Sequence, residues 1–379
     1  MSAGFPVAFY APLKPPDHAT PSGDREMARL MLRLIGRCGG RPELASRLRS
    51  YDGKGDPAGA VARIVEADRE AARLVEAYRA RPAAERPALW FTYHVYYKAP
   101  DLIGPRVARA LAIPYVVAEG SRASKRAGGP WALGHAQAEA ALDAADLILI
   151  LNPRDRPALE AARPAHQRLA LLPPFLDEAD WPTAMTAPAR SEDGGLRFLT
   201  VAMMRPGDKL ASYRLLAEAL AQIKATDWRL DIVGDGPARP EVEALFARFG
   251  QRVRLHGLIE DRAALGRFYC DADLLLWPAV NEAFGMVFLE AGLHGLPAVA
   301  GDFGGVGAVV LDGETGVLTS PGDAGAYAAA VGRLCADAAL RRRLGAAARA
   351  FVRTQRSLDS AAAACDALLG DLLGRRSGA

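Results

Sequence analysis

Short continuous runs of apolar residues alternate with longer stretches of helical period almost from end to end, and this alternation limits what the chain can fold into. In the first half, Pro6–Tyr10, Leu89–Tyr93, Tyr115–Ala118, Leu147–Leu151 and Leu169–Leu172 read as strands. Between them, Met27, Leu30, Met31, Leu34 and Ile35 recur on one helical face, and Val61, Ile64, Val65, Leu74, Val75 and Tyr78 hold a comparable one. Pro173, Pro174, Pro182 and Pro188 then interrupt the pattern up to Gly195. Proline restricts itself and the residue before it, so this stretch reads as a linker. After it the alternation restarts, with strands at Leu196–Ala202, Leu230–Val233, Val253–His256, Leu274–Trp277 and Pro297–Ala300. Helices are expected at Tyr213–Ile223, Pro240–Phe249, Arg262–Cys270 and from Gly285, with a helical tail over residues 338–373.

Unbroken apolar strands are those of a parallel sheet covered by helices on both faces. The expected fold is therefore α/β, with two Rossmann-like parallel-sheet lobes facing a central cleft and a helical C-terminus. The divisions are a first lobe over 1–175, a linker over 176–195, a second lobe over 196–355 and a C-terminal helix over 356–379.

No apolar run is long enough to span a bilayer, and no cleavable leader is legible at the N-terminus. The four cysteines, Cys38, Cys270, Cys335 and Cys365, are dispersed and form no C-x-x-C pair, which suits a reducing cytoplasm. Residues 1–190 carry 26 Lys and Arg against 21 Asp and Glu, a surplus consistent with an anionic partner but far short of a nucleic-acid footprint.

The segment Trp277-Pro-Ala-Val-Asn-Glu-Ala-Phe-Gly-Met-Val-Phe-Leu-Glu290 places a helix start just beyond a strand. In an open α/β sheet that is where ligands bind, and the amides of Phe284, Gly285, Met286 and Val287 can hold an anion there. Glu282 and Glu290 can address hydroxyls of one ligand, or simply cap and solvate the helix. Arg205 and Lys209 flank a turn after another strand, on the same rim, and two cations there match a diphosphate. Gly234 and Gly236 follow a third strand; with arginine at 239 the dinucleotide fingerprint G-x-G-x-x-G fails, and the glycines read as a tight turn. Asp271-Ala-Asp273 precedes its strand and so lies at the wrong end for a ligand, and no metal site is expected. Asp177-Glu-Ala-Asp180 reads as linker, since the chain holds no phosphate-binding G-x-x-x-x-G-K-[ST].

Arg205, Lys209, Gly234-Asp-Gly-Pro237 and the Glu282–Glu290 pair resemble the retaining glycosyltransferases of family 4, of GT-B fold, most specifically over residues 196–350. The resemblance implies transfer of a sugar from a nucleoside-diphosphate-sugar donor, UDP- or GDP-linked, with retention and with no tightly bound cofactor or metal. It implies that Arg205 and Lys209 contact the diphosphate, Glu282 the donor sugar and Glu290 the ribose. The hexosyltransferase would serve polysaccharide biosynthesis, with a glycan, lipid-linked or small-molecule acceptor.

The chain departs from the family in three places. Arg205 and Lys209 are one residue closer than in the commonest form, Gly307-Ala308 stands where many relatives have Pro-Glu, and Val117-Ala-Glu119-Gly-Ser121 replaces a segment that often carries histidine. The acceptor side is therefore left to Gly23, His94, Glu119 and His135. Arg25, Arg29 and Arg33 form a basic helical stripe suited to peripheral contact with the inner face of a membrane, or to a solvated helix. A nucleotide-sugar epimerase or hydrolase, or a silent sugar-nucleotide-binding scaffold, are the alternatives.

Overall fold

The computed structural model describes residues 4–20, 22–182, 195–223 and 227–374. The chain divides into two compact units, Met1–Pro173 with Leu358–Ala379, and Pro174–Ser357. The last helix thus belongs with the first unit, and the second unit is an insertion within it. The expected linker falls partly on residues 183–194, outside the described residues. Its described start is packed into the second unit: Trp181 is buried edge-on to Tyr269 and His294, with ring centroids 5.7 and 5.1 Å away.

The first unit runs β1 (Phe5–Tyr10), α1 (Gly23–Arg37), β2 (Gly40–Leu44), α2 (Pro57–Ala80), β3 (Leu89–Val95), α3 (Gly104–Leu111), β4 (Tyr115–Gly120), α4 (Ala132–Ala144), β5 (Leu147–Ile150), α5 (Arg156–Ala161) and β6 (Arg168–Leu171). Its six strands are all parallel in the order β2-β1-β3-β4-β5-β6. The second unit runs β7 (Leu196–Val201), α6 (Asp208–Gln222), β8 (Trp228–Val233), α7 (Arg239–Phe246), β9 (Val253–Gly257), α8 (Arg262–Asp271), β10 (Leu274–Trp277), α9 (Met286–Leu293), β11 (Ala298–Gly301), β12 (Gly316–Thr319), α10 (Ala324–Ala336) and α11 (Ala338–Gln355). Its parallel sheet has the order β12-β11-β10-β7-β8-β9. The final helix, α12 (Leu358–Leu372), lies against α1, where Cys38 Sγ approaches Ala362 O at 3.7 Å.

Central strands explain why the apolar runs were legible. Val7–Tyr10, Leu89–Phe91, Tyr115–Ala118 and Leu274–Trp277 are buried, as strands roofed on both faces require. Two edge strands carry no such run. β2 reads Gly-Arg-Pro-Glu-Leu, with the polar and proline residues that edges tolerate, and β12 is four residues long. The predicted helix over 338–373 is two helices, broken at Arg356-Ser357. There Leu176 N donates to Arg356 O at 2.9 Å, so the break brings the two ends of the second unit together. The helix expected from Tyr213 begins five residues earlier, at Asp208, which moves Lys209 from a turn into the first turn of α6.

Candidate active site

Each sheet has one place where the strand order reverses, and the loops at the carboxyl ends of those two strands diverge to leave room for a ligand. In the second sheet the reversal falls between β7 and β10, which are neighbours. The loop after β7 carries Arg205 and leads to Lys209; the loop after β10 carries Glu282. All three expected residues therefore belong to the two strands that flank the reversal.

The two loops are joined by hydrogen bonds. Ser212 Oγ accepts from Val280 N at 2.9 Å, and Asn281 Nδ2 donates to Asp208 Oδ1 at 3.0 Å. Ala279 and Asn281 both take left-handed backbone, with φ of 57° and 51°, and the chain turns sharply enough to bring Glu282 against α6. There Lys209 Nζ pairs with Glu282 Oε2 and lies 5.4 Å from the Trp277 ring centroid, while Trp277 Nε1 stands 3.4 Å from the same carboxylate oxygen. An ammonium has three N–H donors, so this pairing leaves Lys209 capacity for an anion. Arg205 is half-buried, and its guanidinium makes no hydrogen bond or ion pair among the described residues.

Helix α9 starts immediately beyond, with Gly285 as a left-handed N-cap and no side chain capping it. The amides of Phe284, Gly285, Met286 and Val287 have no acceptor among the described residues. Unpaired N–H groups at the positive end of a helix are an anion site. Glu290, inside α9, accepts from Tyr269 Oη at 2.7 Å and from Arg262 Nη1 at 3.3 Å. Arg262 in turn lies over the Trp181 ring at 4.7 Å, and Tyr269 stacks on His294. This bracing of Glu290 from α8 was not legible in the sequence, because it depends on α8 lying beside α9 in the fold.

The expected Gly234 and Gly236 have a steric reason to be glycine. A Cβ at Gly234 would sit 1.9 Å from Ala202 O, and one at Gly236 2.3 Å from Met204 O. The loop after β8 thus presses on the loop that bears Arg205, and Met204 N donates to Asp235 O at 2.9 Å. On the other side, Gly304 (φ 50°) would place a Cβ 1.9 Å from Glu282 O. The Asp-x-Asp pair is at the opposite ends of the strands: Asp273 Oδ2 accepts from Arg197 N at 2.8 Å.

The first unit has its own order reversal, between β1 and β3. His94, near the end of β3, has Nδ1 3.2 Å from Asp24 Oδ1 in the first turn of α1, and Nε2 4.0 Å from Glu119 Oε1 at the end of β4. Burial opposes charge on His94, but Glu119 and Asp24 outweigh it and lift the imidazole to about 9. Burial raises Glu119 and Asp155, whereas Asp24 is lowered because His94 more than offsets its burial. Gly23 opens α1 beside Asp24 with open space where a Cβ would point. His135 stands apart, with Nδ1 3.8 Å from Glu139 on α4. The arginine stripe is largely engaged: Arg25 Nη1 donates to His18 O at 3.1 Å and Arg29 Nε to Pro16 O at 2.8 Å, pinning the loop before α1. Among the described residues no helix is long and apolar enough to cross a membrane.

Residues 195–337 match the sequence model of the family described as glycosyl transferases group 1. The chain is 40% identical over 156 residues to the D-inositol 3-phosphate glycosyltransferase of Xylanimonas cellulosilytica, covering 40% of this chain and 37% of that protein. It is 32% identical over 247 residues to the alpha-D-kanosaminyltransferase of Streptomyces kanamyceticus, covering 61% of this chain and 60% of that one. The chain thus spans between about a third and three-fifths of the length of these curated relatives. Among solved structures, it resembles the sucrose-phosphate synthase of Thermosynechococcus elongatus (TM-score 0.72, 22% identity, 98% of this chain and 99% of that one). It also resembles HepE of Anabaena in complex with UDP (TM-score 0.72, 16% identity, 97% and 100%). At those identities the likeness is one of fold, and the fold is GT-B. Over residues 195–337 the chain is therefore similar to the glycosyl transferases group 1, within a GT-B fold.

Proposed function

We propose that the protein is a retaining glycosyltransferase of family 4, which moves a hexose from a nucleoside-diphosphate-sugar donor to a hydroxyl acceptor. The observation that carries this reading is the convergence of Arg205, Lys209, Glu282 and the unpaired amides of α9 at the order reversal of the second sheet. As the bond to the anomeric carbon breaks, negative charge grows on the departing diphosphate. Arg205, Lys209 and the α9 amides are the groups that would meet it. Glu282, held by Lys209 and Trp277, would orient sugar hydroxyls, and Glu290 would take the ribose diol. Retention requires the acceptor hydroxyl on the face that the leaving group vacates, and the leaving phosphate can accept its proton. No tightly bound metal or cofactor enters this scheme.

HepE has also been solved with UDP-glucose, which makes uridine nucleotides the first donors to try. The transferases among the relatives favour transfer over epimerase, hydrolase or silent-scaffold readings. Cys38, Cys270, Cys335 and Cys365 are all free thiols, which supports a cytoplasmic setting. The test is a panel of UDP- and GDP-sugars with cell extract as acceptor source, the product anomer being read by NMR. Donor-dependent transfer with retained configuration supports the proposal. Inversion removes the retaining assignment, and epimer formation without acceptor removes the transferase.

A further inference from the structure

Among the described residues three side chains donate to Glu290, and the Trp181 indole touches all of them. Arg262 Nη1 donates to Glu290 Oε1 at 3.3 Å, Tyr269 Oη to Oε2 at 2.7 Å, and His294 Nδ1 to the backbone Glu290 O at 2.8 Å. The last bond replaces a helical one. His294 N would ordinarily close the turn onto Glu290 O, but it donates to Ala291 O at 3.0 Å. A carbonyl only accepts, so Nδ1 carries the imidazole proton. Arg262 lies over the indole with Cζ 4.7 Å from its centroid. Tyr269 and His294, stacked on each other at 5.2 Å, both meet it edge-on.

Trp181 is buried, and its own backbone is held in place. Leu176 N donates to Arg356 O at 2.9 Å, Glu178 pairs with Arg353 at 3.4 Å, and Trp181 N closes a tight turn onto Glu178 O at 3.0 Å. The close fit against α8 uses the glycine at 266. A Cβ there would stand 3.2 Å from His294 Nε2 and 3.9 Å from Trp181 Cε3. A guanidinium drawn to the face of an indole keeps its N–H donors in its own plane, so the stacking sets the direction in which Arg262 offers them. The indole therefore acts on both carboxylate oxygens of Glu290, through Arg262 on one and Tyr269 on the other.

We propose that Trp181 is a positioning residue for Glu290: by holding Arg262, Tyr269 and His294 together it aims the carboxylate, and so sets how strongly the second unit grips the ribose of its nucleotide. The ribose as ligand rests on the glycosyltransferase reading; the bracing of Glu290 rests on the second unit alone. Arg205 and Lys209 belong to the loop after β7 and to α6, so affinity for the phosphates is kept when the indole is lost.

The experiment is calorimetric titration of the full chain with UDP and 2′-deoxy-UDP, and with GDP and 2′-deoxy-GDP. In the wild type the ribo form should bind about 10- to 100-fold more tightly than its deoxy counterpart, the range for a hydroxyl bonded to a charged group. Trp181→Met fills the volume without an aromatic face. It should bring that ratio close to one by weakening the ribo form alone, and Trp181→Phe should restore most of it. Gly266→Ala presses on His294 from α8 and replaces Trp181→Met should that variant misfold; it too should lower the ratio. An unchanged ratio in a folded variant, or a loss shared equally by both forms, overturns the proposal and leaves Trp181 a packing residue. A wild type that binds neither UDP nor GDP, or does not tell ribo from deoxy, overturns the ribose assignment and the proposal together. A wild type with the expected ratio that transfers no sugar overturns the glycosyltransferase reading and leaves the role of Trp181 standing.

Discussion

The Tyr269 hydroxyl donates a 2.7 Å hydrogen bond to Glu290 Oε2, and so fixes a carboxylate on α9 from the neighbouring helix α8. Burial and the charge of Glu290 hold the phenol well above its ordinary pKa, which keeps it a donor at any working pH. Each Glu290 oxygen retains a lone pair beyond its Tyr269 or Arg262 bond, and those remaining acceptors are the ones available to a ribose.

Tyr269→Phe should therefore loosen donor binding without touching chemistry. The expected result is a several-fold rise in the KM for the nucleotide sugar at nearly constant kcat, with weaker preference for a ribo- over a 2′-deoxyribo-nucleotide. Contacts made equally in ground and transition states behave in this way. Glu290→Ala should show the same pattern more strongly. Initial-rate kinetics with matched nucleotides check both.

Lys209→Ala addresses the leaving group. A donor aimed at charge that develops in the transition state is worth about 2.7–4 kcal/mol, or roughly 100–1000-fold in kcat. The variant should retain its circular dichroism spectrum and lose kcat, with little change in donor KM. Its loss also strips Glu282 of its ion-pair partner, so Glu282→Ala should resemble it, and the double variant should cost far less than the product of the two. Normal kcat in folded Lys209→Ala would dismiss the assignment.

Gly304→Ala tests whether the backbone at Glu282 must stay where it is. The added Cβ would fall 1.9 Å from Glu282 O at a φ of 50°, so the loop after β10 has to move. Donor affinity, read by nucleotide-induced thermal shift, should fall, while Gly313→Ala, with nothing near its missing Cβ, should leave nucleotide binding unchanged.

Exhaustive chelation should leave full transfer activity, because two cations already face the expected diphosphate and the Asp271–Asp273 pair is tied to the opposite strand ends. Activity abolished by EDTA and restored by a divalent ion would refute the metal-free scheme.

The His94 imidazole should titrate near 9 by NMR rather than near 6.5. Because its folded value lies above its unfolded one, its contribution to stability is complete below about pH 6.5 and disappears as pH rises through about 9. Thermal midpoints of the wild type should fall across that window, and those of His94→Gln should fall less. Identical profiles would show that Asp24 and Glu119 do not stabilise the imidazolium.

What the sequence disclosed followed burial. Strands such as Leu147–Ile150 and Leu274–Trp277 are apolar on both faces because helices roof both, and so they are visible as runs. Gly40–Leu44 pairs on one side alone, can carry Arg, Pro and Glu, and looks like a loop. The rim residues were legible because strand ends fix them: Arg205 and Glu282 follow runs that point them out. The pairing of Lys209 with Glu282, 73 positions apart, could not be read, since it depends on β7 and β10 being neighbours. Nor could the Asp24–His94 contact, which needs β1 beside β3.

The meeting of Leu176 with Arg356 and Ser357 has a consequence for how the chain is made and cut. Both ends of the 174–357 body leave from one spot, so that body can be excised as a single segment with its own amino and carboxyl ends side by side. The surrounding unit has no such autonomy during synthesis. Its helix α12 is translated only after the whole 174–357 body, and its Cys365 is buried in the fold. A stop codon at 358 would therefore damage the unit whose strands were made first and spare the 174–357 body made after them.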